Sequence, residues 1–123
     1  MPETISLNAY LARLDDLLAA NATDEVIHHC RHILKYTPKN VATYRTLGRA
    51  LLYSARWDAA RAIFRRVLGV YPDDYVAHIA LSEINDQQGQ GNEAIWHLER
   101  AYEQEPNNGD LIDSLRELYR KYH

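Results

Sequence analysis

The chain has 123 residues, 46% of them hydrophobic and 25% charged, with a net charge of −3. This is enough for one small domain with a core of its own, and so mild a charge gives no reason to expect nucleic acid as a partner. No apolar run approaches a membrane span, the start "MPETISLNAY" lacks the regions of a secretory signal, and a single cysteine allows no internal disulfide, so a cytoplasmic protein is expected, or a cytoplasmic segment of a longer one.

Along the chain, the first stretch that suggests chemistry is "IHHCRH", Ile27 to His32, which holds three of the six histidines and the only cysteine. His28 and His32 stand four apart, one face of a helix, a spacing that can hold a metal ion. Next comes Pro38, and Pro38, Pro72 and Pro106 follow one another at intervals of 34 inside "YTPKN", "VYPDD" and "EQEPNN". Proline ends an apolar-periodic run at each place, because it cannot continue a helix and turns the residue before it out of helical geometry.

A shift of 34 aligns further rows. Val26 falls on Ala60 and Ala94, Cys30 on Phe64 and Leu98, Ile33 on Val67 and Ala101, Leu34 on Leu68 and Tyr102. All are apolar or small, and within one repeat they mark one helical face. The stretch "VATYRTLGRALLYSA" places Tyr44, Leu47, Leu51 and the small Gly48 on one side of an earlier helix, and "YVAHIALSEINDQQG" matches it with Leu81 and Ser82. Asn21, Ala55 and Gly89 coincide at the turn between paired helices, where asparagine or glycine readily takes a left-handed conformation. Asp73 or Asp74 is placed to cap the next helix. The last segment, "GDLIDSLRELYRKYH", aligns with the first helix of a fourth unit and directs Ile112, Leu115 and Tyr119 at the preceding one. It reads either as a capping helix or as the start of further repeats in a longer protein.

With Tyr44, Leu47-Gly48, Leu51, Trp57, Ala60, Phe64, Leu68 and Pro72 in one unit, the chain resembles the tetratricopeptide repeat (TPR) family. The resemblance implies an all-α, right-handed solenoid of helix-turn-helix units. Its repeats would be 7–40, 41–74 and 75–108, with a cap helix over 109–123, giving seven helices in all. The first unit departs from the pattern, with Arg13-Leu14 where Leu47-Gly48 stands in the second, and His78 and Asn85 replace the usual aromatic residues in the third.

The repeat register answers the question of "IHHCRH". Cys30 takes a core slot as a small hydrophobe, and Trp57 takes a place where the family has a core aromatic residue. His28 and His32 lie in outward, mostly polar rows, and no further ligands converge on them. No metal, cofactor or catalytic residue is expected, since a metal site needs three or four ligands and no phosphate loop follows a strand.

The expected function is that of a non-enzymatic protein-interaction module, with a peptide or partner protein in the groove lined by the first helices. The groove candidates are Arg45, Arg49, Leu52, Tyr53, Val76, Ile79 and Glu83. Arg45 and Arg49 are one turn apart and with Tyr53 would seat a carboxylate or an acidic segment. Trp96 falls in an outward row and is the candidate contact on the convex face. The carboxylate clamp by which some members of the family hold chaperone C-termini is absent, with Leu11, Asp15, Thr46, Val76 and Ala80 at its places. Residues 41–74 hold six arginines and three acids, and residues 75–108 one arginine and six acids. Such neighbours would steer a charged partner or favour a homo-oligomer, so a self-associating scaffold is the alternative.

Overall fold

The structure is a computed structural model that describes residues 6–123. Among the described residues it holds seven helices and no strand: α1 (Leu7–Ala19), α2 (Thr23–Tyr36), α3 (Val41–Tyr53), α4 (Trp57–Val70), α5 (Tyr75–Gln87), α6 (Gly91–Gln104) and α7 (Gly109–Tyr122). They fall into two compact units, the first ending at Ile63 and the second beginning at Phe64.

Alternate helices start on a side-chain oxygen. Ser6, Asn40, Asp74 and Asn108, all 34 apart, accept backbone N–H bonds at the starts of α1, α3, α5 and α7. The helices between them start differently. α2 and α6 have no side-chain cap, and acids in their first turns, Asp24, Glu25 and Glu93, meet the positive end of the helix dipole instead. The turns into α2, α4 and α6 pass through Asn21, Ala55 and Gly89 at φ of 61°, 58° and 72°. Two of these residue types take that geometry readily, but Ala55 carries a Cβ that resists it.

In the first unit α1, α2 and α3 pack on one another, and Leu14, Val26, Cys30, Leu47 and Leu51 are buried between them. The rows read at 34-residue intervals are core rows: Val26, Ala60 and Ala94 are all fully buried, as are Cys30 and Phe64. Leu68 is only half-buried, as is Leu34, while Tyr102 is exposed. Their row lies one residue, and so about 100° around the helix, beyond the buried row of Ile33, Val67 and Ala101. Trp57 is also half-buried rather than core, because it opens α4 at its exposed end.

In the second unit α6 packs against both α5 and α7, and Ala94, Ile95, Leu98, Leu111, Leu115 and Leu118 form the core. The inward face of α7 is therefore Leu111, Leu115, Leu118 and Tyr122, with Ile112 half-buried at its edge and Tyr119 turned to solvent. The buried leucines set that rotation and hydrogen bonds accompany it: the Tyr122 hydroxyl reaches Asp86 Oδ1 of α5 at 2.7 Å, while Tyr119 takes Glu99 at 3.0 Å. The Tyr122 ring lies on Gly91, where an added Cβ would sit 2.3 Å from ring carbons.

Two stability changes follow. Ala55→Gly should raise stability by up to about 1 kcal/mol, because release of left-handed strain exceeds the entropy cost of glycine there. Phe64→Ala should lower it by about 3–5 kcal/mol. Urea unfolding followed by circular dichroism measures both, and a cost for Phe64→Ala below 1 kcal/mol would contradict its core position.

Candidate functional site

In the first unit, α3 projects Arg45, Arg49 and Tyr53 at successive turns. Arg49 Nη1 stands 3.1 Å from Asp15 Oδ1 of α1, with 35% and 55% of the two side chains exposed. The guanidinium lies 6.0 Å from the ring centroid of Tyr53, itself 52% exposed. Arg45 is half-buried one turn earlier. So open an ion pair adds at most about 1 kcal/mol to folding, and a ligand carboxylate can displace Asp15 at small cost. Leu52, an expected apolar contact, is 6% exposed and offers almost no surface. Asp15 was missed as the partner of Arg49, although the two are 34 apart and hold one position in successive first helices.

In the second unit, Val76 and Ile79 are half-buried and Glu83 is exposed. Ile79 packs on the core formed by α6 and α7. One turn beyond Glu83, Asp86 accepts from Lys121 Nζ at 2.9 Å as well as from Tyr122. The bond from Lys121, and then that from Tyr122, hold the Asp86 carboxyl below its ordinary range despite partial burial. Trp96 on α6 is 50% exposed, as its outward row requires, but its ring is engaged. The Arg100 guanidinium lies 5.2 Å from its centroid and the edge of His97 packs at 5.0 Å.

The histidines of "IHHCRH" do not converge. His28 and His32 are exposed, His32 packs on Tyr36, and His29 Nδ1 bonds the Tyr10 hydroxyl at 2.6 Å. Cys30 is fully buried, and burial pushes its thiol up to about 12, so no thiolate is available for chemistry. Among the described residues no three histidines, cysteines or acids group to hold a metal ion.

A second histidine pair escaped the sequence. His78, only 2% exposed, places Nε2 2.8 Å from the carbonyl of Pro72 and Nδ1 3.0 Å from His97 Nδ1. A carbonyl only accepts, so His78 donates from Nε2, and one of the two facing Nδ1 atoms donates to the other. The Tyr44 hydroxyl makes the same bond to Pro38, at 2.8 Å, 34 residues earlier.

Compared with known families, residues 17–84 match the tetratricopeptide repeat. The chain belongs to the tetratricopeptide repeat family. Two solved structures of MamA AMB-1 are similar to it, with TM-scores of 0.70 and 0.73 at 22% and 20% identity. The matches cover 85% and 95% of this chain and 62% and 64% of the MamA chains, so it spans under two thirds of their length. At that identity the likeness establishes the all-helical repeat fold. No curated protein matches.

Burial first, then the neighbouring charges of His78 and Arg65, hold His97 down to about 4 from an ordinary 6.5. The unfolded chain takes up this proton near 6.5 and the folded chain not until about 4, so this contribution to stability is complete above 6.5 and falls as pH drops through that window. The urea midpoint should therefore fall from pH 7.5 to pH 5, and His97→Gln should flatten that fall. An unchanged slope in the variant would remove His97 as its source.

Proposed function

We propose that this TPR chain is a non-enzymatic interaction module that takes a polypeptide partner through an acidic segment at Arg45, Arg49 and Tyr53. The repeats are assigned as 7–40, 41–74 and 75–108, with 109–123 as a capping helix, and the location as cytoplasmic. No catalytic residue, metal or cofactor is assigned. Among the described residues no helix is long and apolar enough to cross a membrane.

One observation carries the reading: Arg49 sits between an exposed carboxylate at 3.1 Å and an exposed tyrosine ring. The site thus already holds a carboxylate on a guanidinium beside an aromatic face, the chemistry an acidic peptide would exploit with charge-assisted hydrogen bonds. Folding gains little from that pair, so exchange for a ligand is inexpensive.

A second reading is self-association, favoured by six arginines against three acids in 41–74 and one against six in 75–108. Sedimentation at rising concentration separates the two readings. The direct test of the first is capture of cell proteins by the wild type and by Arg45→Glu/Arg49→Glu. The double variant should lose the partner while its helical spectrum stays unchanged, and the wild type should hold it less well at high salt. A partner retained by the double variant would refute this site.

A further inference from the structure

Asp15, Arg49, Glu83 and Glu117 occupy one repeat position, each 34 residues from the next, in α1, α3, α5 and α7. Within the first unit the two members have opposite charge and meet at 3.1 Å. Within the second unit both members are acids. Glu83 and Glu117 line one cavity of about 350 Å³ between α5 and α7, and among the described residues neither has a hydrogen bond or ion pair. The cavity's one cation, Lys121, is committed to Asp86 at 2.9 Å, and Asp86 also accepts from Tyr122. Ser82 is spent inward on the carbonyl of Ala94 at 2.7 Å. Two exposed carboxylates remain in a lining that includes the apolar Ile79, Leu98 and Leu118.

The geometry points to a receptor cavity for the arginine side chain of a polypeptide partner. Its guanidinium lies between Glu83 and Glu117, where it supplies the cation that Arg49 supplies in the first unit. Arginine suits the site because its planar fork can serve two carboxylates while its methylene stem covers the half-buried Ile79. The assignment rests on the chain being a polypeptide-binding module, but it uses a surface of the second unit and the opposite charge from the Arg45–Arg49–Tyr53 site.

The test is a nuclear magnetic resonance titration of the isotope-labelled chain with the capped tripeptide acetyl-Gly-Arg-Gly-amide. Saturable shifts are expected at the methyl groups of Ile79 and Leu118. Glu83→Gln/Glu117→Gln should weaken binding about tenfold, since neutral amides keep the shape but lose the charge-assisted bonds. The same peptide with citrulline for arginine should not saturate. Absence of saturable shifts, equal binding of the citrulline peptide, or unchanged affinity in the double variant would each overturn the proposal. Equal shifts on adding calcium chloride would replace it with an inorganic cation site. The titration reads this cavity directly, so it stands or falls apart from partner capture: loss of binding here with the partner still captured removes the cavity alone, and the reverse removes the Arg49 site alone.

Discussion

Each first helix starts by closing a side-chain oxygen onto its own backbone, at Ser6, Asn40, Asp74 and Asn108, and the rest of the architecture keeps time with that bond. A helix leaves its first N–H groups without partners, and a cap fixes which residue begins it. Once the starts are fixed 34 apart, so are the buried rows and the left-handed turns. A first helix that began one residue late would rotate its apolar stripe by about 100° and turn Leu47 or Leu81 toward water. The prolines work with the caps: Pro38, Pro72 and Pro106 each stand two residues after the end of one helix and two before the oxygen that starts the next.

Because the constraint is periodic, much of the fold was legible in the sequence. A row that reads Val26, Ala60, Ala94 cannot be surface in one unit and core in the next without breaking the period, and all three are fully buried. The left-handed turns were readable from Asn21 and Gly89, and the period alone carried the assignment to Ala55. Legibility failed where burial changes within one residue's rotation. Leu68 and the face of α7 were misjudged for this reason: apolar type marks a stripe but not its edge, and Tyr119 and Tyr122 are chemically alike until one of them meets Asp86.

The candidate site was harder to read, because function there depends on which charges are already satisfied. Arg49 was visible as a charge, yet its meaning changes once Asp15 is seen beside it. Leu52 looked like an apolar contact and is part of the interior instead. Position in a helix says which side a residue faces; only distances say whether its charge is spent. The column Asp15, Arg49, Glu83, Glu117 shows both halves of that lesson, since its register was readable and its pairing was not.

The bond from residue 78 to the carbonyl of Pro72 has an evolutionary side. Repetition gives a chain several copies of one position, and each copy can diverge alone. Tyr44 and His78 hold their proline loops with bonds of the same 2.8 Å length, so as a tether the exchange is silent. As an electrostatic neighbour it is not, for the imidazole at 78 adds to the burial that holds His97 below its ordinary range, and a tyrosine hydroxyl at that place would not. Through that difference acid acts on the helix pair α5 and α6 and has no counterpart at Tyr44 and Ile63. Sub-global opening in mild acid would then start from this pair, so divergence at one copy can set where a chain of near-identical parts first gives way.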